Sequence, residues 1–159
     1  MAKIELDQID RRILEALQSD GRLSNVELAD RVGLSPSPCL RRVKRLEDAG
    51  MIAGYRAVID PKSVGLGLTV FVELKAGKHS RDNADSLQAA LAAIPEVVSC
   101  HMVSGASDFL AEVVVADLEA YERLMSEKLL TLPTLSDLRS NFAIRTIKSH
   151  APLPLGHLT

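Results

Sequence analysis

Apolar residues recur at three- and four-residue intervals in three short runs over residues 6–50, which predicts three amphipathic helices. The second run begins with the S-x-x-E pattern of a capping box, Ser24 and Glu27, and stops at Gly33. The third begins at Ser35, a suitable N-cap that is followed by a proline at the first helical position. Two short helices joined by a turn that contains glycine form a helix-turn-helix. We therefore predict that the helix over residues 35–49 is the second helix of this motif.

The third helix separates apolar from cationic positions. Leu40, Val43 and Leu46 lie three residues apart, and we predict that they form its buried face. Its other positions include a run of cations that no acid interrupts: Arg41, Arg42, Lys44 and Arg45. Most charge clusters of this kind are solvated helix faces. The second helix of a helix-turn-helix, however, is the one that enters the major groove of DNA, and this position favours DNA binding.

Under this interpretation the exposed face of the third helix contacts double-stranded DNA. Arg41 lies about one turn into the helix, where a guanidinium can donate two hydrogen bonds to a guanine edge. The other cations are suited to phosphates, which position the helix without reading sequence. Ser37 and Pro38 form a small N-terminal turn that allows close approach to the bases. The predicted DNA-binding residues are Ser35, Ser37, Pro38, Arg41, Arg42, Lys44 and Arg45.

After Gly50 the pattern changes to alternating apolar residues and strand formers, which marks a second domain. We predict a DNA-binding domain over 1–54, a linker strand and loop over 55–67, a second domain over 68–150 and a tail over 151–159. Periodicity in the second domain predicts strands at 68–76, 96–103, 108–116 and 138–148, with helices at 83–94 and 118–130. The order β-α-β-β-α-β is that of a ferredoxin-like sandwich. The fold class is therefore α+β, a winged helix-turn-helix domain followed by this sandwich.

The first strand of the sandwich carries apolar residues on both faces. Val70, Val72 and Leu74 form one alternating set, and Phe71 belongs to the opposite set. Two helices on one face of a sheet leave the other face open. Self-association through that open face is the simplest way to bury it.

The turn "VSGASDF", residues 103–109, allows two interpretations. As a hairpin turn, it needs Gly105 for a positive φ and Asp108 to accept a hydrogen bond from a backbone amide. As a binding site, its free N–H groups could hold a carboxylate while the acidic side chain meets an ammonium group, so a zwitterionic amino acid would fit. Turn chemistry alone favours the first interpretation.

Composition narrows the class of protein. With 159 residues, 47% of them hydrophobic and 25% charged, the chain has a globular composition. Its net charge is −2, and cations balance acids over residues 1–54, so any affinity for nucleic acid depends on the local cluster. Two distant cysteines indicate neither a disulfide framework nor a zinc site. The sequence shows no membrane span, signal peptide, nucleophile-base spacing, phosphate loop or metal-ligand spacing. We therefore expect a cytoplasmic protein that is not an enzyme and has no cofactor.

Two segments of the chain resemble a known family. Residues 6–65, "LDQIDRRILEALQSDGRLSNVELADRVGLSPSPCLRRVKRLEDAGMIAGYRAVIDPKSVG", are similar to the DNA-binding domain and linker of the Lrp/AsnC (feast/famine) transcription regulators. Residues 101–113, "HMVSGASDFLAEV", resemble the G-x-x-D turn of their amino-acid-sensing domain. The two motifs occur in the order that the family has, and the resemblance as a whole covers nearly the whole chain.

The resemblance implies partners as well as a fold. Family members form homodimers through the ferredoxin-like domain, and often octamers or larger rings. They bind a small amino acid near the G-x-x-D turn, at interfaces between these domains, and here leucine or another apolar amino acid is the implied effector. Gly105 and Asp108 match the motif directly. The residues implied in effector binding are Ser104, Gly105, Ala106, Ser107 and Asp108.

Two other classes of protein remain open from the sequence. The chain could be a small-molecule-binding or enzymatic ferredoxin-like domain whose N-terminal helices dock on a protein partner. It could also be an architectural protein that compacts DNA without responding to metabolites. Salt-dependent DNA binding argues against the first alternative. Sensitivity of DNA binding to an amino acid argues against the second.

Overall fold

The computed structural model describes residues 5–77 and 81–158, without the side chains of residues 81–83. The chain divides into two compact units. The first runs to Val58 and also includes the C-terminal segment from Lys148, and the second comprises Ile59–Ile147. The domain boundaries expected from the sequence remain a prediction, and the two units are described separately below.

The first unit is a three-helix domain. It contains α1 (Gln8–Ser19), α2 (Asn25–Val32) and α3 (Pro36–Asp48). Capping boxes start α1 and α2, and Gly33, with φ 74°, ends α2 in the left-handed conformation that glycine adopts readily. The buried core consists of Ile13, Leu28, Ala29, Val32, Cys39 and Leu46.

The predicted buried face of α3 is wrong in one position. Leu40 is 57% exposed, whereas Cys39 is fully buried together with Leu46, and Val43 is half-buried. Both 39-43-46 and 40-43-46 satisfy helical spacing, so periodicity alone could not distinguish them. The helix is therefore rotated so that Leu40 lies toward the exposed face.

Residues 53–60 belong to no strand among the described residues, and Pro61–Val64 form a short 3₁₀ turn. A strand had been expected in this linker because strand formers alternate there. A strand requires hydrogen bonds to a neighbouring strand, and alternation by itself does not provide them. Val58 and Ile59 are accordingly exposed.

The second unit has the predicted β-α-β-β-α-β order. Its elements are β1 (Leu68–Ala76), α4 (Arg81–Ala92), β2 (Val97–Met102), β3 (Phe109–Val115), α5 (Leu118–Leu124) and β4 (Leu135–Phe142). A π-helical turn, Met125–Leu129, extends α5. The four strands are antiparallel in the order β2-β3-β1-β4. The fold class is confirmed, although β4 begins three residues earlier and ends six residues sooner than periodicity predicts.

The helices of the second unit pack on one face of its sheet. Val70, Val72 and Leu74 of β1 are fully buried there with Leu87 and Leu91 of α4. Tyr121 and Leu124 of α5 belong to the same core. The opposite face carries, among others, Phe71 and Glu73 of β1, Leu110 and Glu112 of β3, and Arg139 and Asn141 of β4, which the strand register places side by side. We call this the open face.

The C-terminal segment contacts α1. The backbone N–H of Leu153 donates to Oε1 of Gln18 at 2.6 Å, and Nε2 of Gln18 lies 3.4 Å from the carbonyl oxygen of Leu153. About two turns nearer the start of α1, Arg11 donates to the carbonyl oxygen of Leu158 at 3.4 Å. These bonds join the C-terminal segment to the helices of the first unit.

The rotation of α3 predicts opposite effects for two leucines. Leu46→Ala should lower the free energy of unfolding of the first unit by about 2–5 kcal/mol, because it leaves a cavity in the core. Leu40→Ala should change that free energy by less than about 0.5 kcal/mol, because its side chain is already largely in solvent. Urea titration followed by circular dichroism measures both. A loss at Leu40 equal to that at Leu46 would contradict the rotation.

Candidate DNA interface and effector site

The start of α3 is held by a contact from α2. Ser35 has the backbone conformation of an N-cap, but its side chain makes no capping hydrogen bond. Asn25 instead donates from Nδ2 to the carbonyl oxygen of Pro36 at 2.8 Å. This bond fixes the first turn of α3 against the first turn of α2. The turn that contains Ser37 and Pro38 is therefore presented in a fixed position.

The predicted DNA-binding residues fall into two groups. Ser35, Ser37, Arg41 and Lys44 are exposed, and Pro38 is half-buried. Leu40, which was predicted to be buried, is exposed as well. Arg42 and Arg45 form the second group, because both contact α1.

Arg42 and Arg45 form ion pairs with a buried carboxylate. Nη1 of Arg42 lies 2.8 Å from Oδ1 of Asp10 and 2.7 Å from Oδ2 of Asp7. Nη2 of Arg45 contacts the other oxygen of Asp10, Oδ2. The side chain of Asp10 is fully buried, whereas those of Arg42 and Arg45 retain 27% and 44% exposure. These pairs join α1 to α3.

The electrostatics of this group follow from its hydrogen bonds. The backbone N–H of Asp10 and the guanidinium of Arg42 lower the pKa of Asp7, since both stabilise the ionised carboxylate. The carboxylates of Asp10 and Asp7 raise the pKa of Arg42. Arg42 forms its ion pairs through Nη1, and Arg45 forms its ion pair through Nη2. A guanidinium carries five N–H donors, so donors remain for a phosphate.

Asp10 is not among the functional residues predicted from the sequence. The signal was present, because Asp10 and Ile13 are three residues apart and therefore share one face of α1. An acid on the apolar face of an amphipathic helix requires a cation in reach. The sequence does not show which cation satisfies it.

The turn between β2 and β3 holds all five predicted effector residues. Gly105 has φ 124°, which residues with a side chain rarely adopt. Ser104, Gly105 and Ala106 are exposed, whereas Ser107 and Asp108 are half-buried. The turn therefore presents its tip to solvent and anchors its end in the sheet.

Asp108 has a structural contact in this turn. Its Oδ2 accepts a hydrogen bond from the backbone N–H of Ala76 at 2.8 Å, and its own N–H donates to the carbonyl oxygen of Leu74 at 3.0 Å. The carboxylate thus holds the end of β1 against the turn. One of its two oxygens is engaged before any effector binds.

A second acid, which was not predicted from the sequence, lies beside the turn. Glu73 of β1 accepts from Oγ of Ser107 at 3.2 Å and from Nδ2 of Asn141 at 2.9 Å. Nη1 of Arg139 is 3.9 Å from the same carboxylate, which is 31% exposed. We call Glu73, Ser107, Arg139 and Asn141 the Glu73 cluster. It adds a carboxylate and a cation to the polar groups of the turn.

Two further observations concern the described part of the chain. No three metal-ligating side chains lie close enough there to hold an ion. None of its helices has the combination of length and apolarity that crossing a membrane requires.

Comparisons with known proteins identify a family model for each of the two parts of the chain. A model of winged helix-turn-helix DNA-binding domains matches residues 6–53. A model of the Lrp/AsnC ligand-binding domain matches residues 69–153. The chain is therefore a transcription regulator that combines a helix-turn-helix DNA-binding domain with a ligand-binding domain. It belongs to the Lrp/AsnC family, as the sequence resemblance implied.

Individual relatives refine the comparison. The chain is 46% identical to the leucine-responsive regulatory protein of Salmonella typhimurium over 144 residues, which are 91% of this chain and 88% of that protein. It is 45% identical to that of Escherichia coli K12 over the same shares. The motifs "NVELADRVGLSPSPCLRRVKRLE" and "VSGASDFL" had indicated similarity to this member of the family.

Solved structures are similar over almost the whole chain. A transcriptional regulator from Neisseria meningitidis in complex with L-methionine has a TM-score of 0.93 and 42% identity, covering 97% of this chain and 99% of that chain. An AsnC family regulator from Agrobacterium tumefaciens has a TM-score of 0.91 and 36% identity, covering 97% and 100%.

Proposed function

We propose that this regulator reads double-stranded DNA with the exposed face of α3 and responds to an apolar amino acid bound beside the turn at residues 103–108. The observation that carries the proposal is the division of the α3 cations. Arg41 and Lys44 are exposed on the outer face, while Arg42 and Arg45 are held at its edge by Asp10. Such an arrangement supplies one set of side chains for bases and another for phosphates.

Arg41 is the residue that we assign to a base edge. It lies on the exposed side of α3, near the helix N-terminus, where recognition helices meet bases. Lys44, one turn further along on the same side, is assigned to a phosphate, because an ammonium acts as a point charge. Ser35, Ser37 and Pro38 surround the N-terminal turn and are assigned to close approach.

Two substitutions distinguish these roles. Arg41→Ala should lower the preference for the favoured base by about 1–3 kcal/mol, since bidentate contacts to guanine contribute that much discrimination. Lys44→Ala should weaken binding to all duplexes equally and lower the salt slope by about 1, because one phosphate contact is lost. Binding-site selection, followed by anisotropy titrations at several salt concentrations, measures both effects.

Arg123→Ala is the matched control for these two variants. It removes one cation from α5, in the other unit, where the side chain is 57% exposed and paired with Glu119. Its DNA affinity and salt slope should equal those of the unmodified protein. Wild-type affinity in all three variants would remove α3 from the interface.

The effector site that we propose combines the turn with the Glu73 cluster. Exposed N–H groups of Ser104, Gly105 and Ala106 are available for a carboxylate, and Glu73 offers a carboxylate for an ammonium group. The Neisseria meningitidis regulator was solved with L-methionine, and several relatives are leucine-responsive. We therefore propose L-methionine and L-leucine as the effector class for this chain.

A thermal-unfolding scan against each common amino acid tests the effector. Methionine, leucine or both should raise the unfolding temperature, because a ligand at 100 times its dissociation constant adds about 2.7 kcal/mol to native stability. Glu73→Gln and Ser107→Ala should reduce that shift. If no amino acid raises the unfolding temperature, the turn and the Glu73 cluster do not form an amino-acid sensor.

The choice of variant at position 108 matters for this experiment. Asp108→Ala would remove the bond to Ala76 and destabilise β1 with or without effector. Asp108→Asn keeps an oxygen for that bond while removing the charge. Ser126→Ala serves as a control, since that serine lies in the π-helical turn after α5 and bonds to Arg123. Its effector-induced shift should match the wild type.

We also propose that the second unit self-associates through its open face, giving a homodimer and, in further steps, an octamer or similar ring. The helices α4 and α5 cover only one face of the sheet. On the other face, Phe71 of the inner strand β1 is 39% exposed. An aromatic side chain at the centre of an uncovered sheet face favours a partner surface.

Phe71→Glu tests this interface. The wild type should sediment as a dimer or larger assembly, and the variant should dissociate, because a buried unpaired charge at the interface is unfavourable. Leu130→Glu is the control, since that leucine is 57% exposed and follows α5 rather than lying on the open face. A monomeric wild type, or an unchanged assembly in Phe71→Glu, would contradict the proposed interface.

The same proposal assigns the protein no enzymatic activity and no cofactor, and places it in the cytoplasm with its DNA. Family membership supports the first of these assignments, since the relatives are regulatory proteins.

A further inference from the structure

We propose that Asp10 is a positioning residue for DNA binding: its buried carboxylate holds Arg42 and Arg45 so that their remaining donors face phosphates along the edge of α3 that lies next to α1. The inference rests on the proposed function of α3. It assigns a role in DNA binding to a buried side chain of α1, which lies outside the recognition helix α3.

The contacts of Asp10 use both of its oxygens. Oδ1 accepts from Arg42 at 2.8 Å, and Oδ2 accepts from Arg45 and, at 3.2 Å, from the backbone N–H of Asp7. The side chain is fully buried beside the apolar core that contains Ile13. One acid of α1 therefore holds two guanidinium groups of α3.

Stability alone does not explain a buried acid at this position. Removing two charges from water is costly, and a buried ion pair can often be replaced by apolar side chains without loss of stability. The bond that Asp10 accepts from the N–H of Asp7 completes the capping box of α1, but it uses only one of the two oxygens and needs no cation. A function that needs ordered arginines accounts for the acid more directly.

The identity of the cations supports this role. The two positions that reach Asp10 are both arginine, whereas the exposed position 44 is lysine. A guanidinium can bond a carboxylate with one nitrogen and present the others in a rigid plane to a phosphate. The ammonium group of a lysine has no rigid plane of donors that could bond a carboxylate and a phosphate at the same time. Arginine is thus the side chain that can link a buried acid to DNA.

Ordering before binding lowers the entropy that binding must overcome. An arginine side chain has many rotamers, and immobilising it at an interface opposes association. In this protein, Asp10 has already restricted Arg42 and Arg45 in the folded chain. Arg41, which is exposed and must reach a base edge, lies outside these ion pairs.

Asp10→Asn in the full chain tests the proposal. The amide keeps the size of the side chain but removes the charge that holds the arginines. We expect DNA affinity to fall about tenfold at moderate salt, and the salt slope to decrease by up to about 2, one for each released phosphate contact. Titrations are made at a temperature at which circular dichroism shows the variant to be folded.

Ile13→Val is the matched control. Ile13 is fully buried on the same face of α1, so the variant loses stability without touching either arginine. If Asp10 merely joins the helices, both variants should bind DNA with wild-type affinity and salt slope whenever they are folded. That result would overturn the proposal.

A double-mutant comparison separates positioning from a general loss of charge. Arg42→Ala should cost less affinity in the Asp10→Asn background than in the wild type, whereas Lys44→Ala should cost the same in both. Equal costs for Arg42→Ala in the two backgrounds would contradict the proposal. A wild-type chain without salt-dependent DNA binding would instead refute the function of α3, and this inference with it.

An NMR measurement keeps the proposal testable if Asp10→Asn does not fold. In the wild-type chain without DNA, the Nε–Hε groups of Arg42 and Arg45 should have higher order parameters than that of Arg41. Side chains as mobile as Arg41 would show that Asp10 does not restrict them.

Discussion

A carboxylate removed from solvent must be matched by cations, and this requirement organises the first unit. Asp10 on α1 finds its counter-charges on α3, in Arg42 and Arg45. Position 42 therefore faces α1. With α3 in this rotation, Cys39 lies in the core and Leu40 is exposed. The same rotation directs Arg41 and Lys44 outward. One buried charge thus sets both the packing of the recognition helix and the surface it offers to DNA.

The second unit depends on strand register in a comparable way. The antiparallel pairing of β1 with β3 places Leu74 opposite Phe109, so the turn before β3 lies against the end of β1. Asp108 stabilises this arrangement through the N–H of Ala76. Glu73, one residue before Leu74, then lies on the open face beside Ser107. Two acids, Asp108 and Glu73, are in this way brought beside one turn.

Both sites use an acid to hold another group in place. Asp10 restrains arginines, and Asp108 restrains the edge of a strand. The restrained arginines are themselves proposed to meet phosphates, whereas the groups proposed to meet the effector are neighbours of the restrained strand end. Binding groups that are ordered in advance lose less entropy on association. This common principle applies to each unit by itself.

Features that depend on neighbouring residues were predictable from the sequence. The capping box of α2, Gly33, the order of strands and helices and the two family motifs all involve residues close together along the chain. They gave the class of fold, and the family matches agree with them. Helical periodicity did not determine the buried face of α3, because Leu40 and Cys39 both fit the spacing.

The partners of the charged side chains required the tertiary structure. Asp10 is 32 residues from Arg42 and 35 from Arg45, and Ser107 is 34 residues from Glu73. No local pattern links positions so far apart, because such contacts form only when helices pack and strands adopt a register. The sequence by itself determined which elements form and what chemistry they carry. The tertiary structure decided which charges are held and which remain available, since burial and distance control the strength of an ion pair.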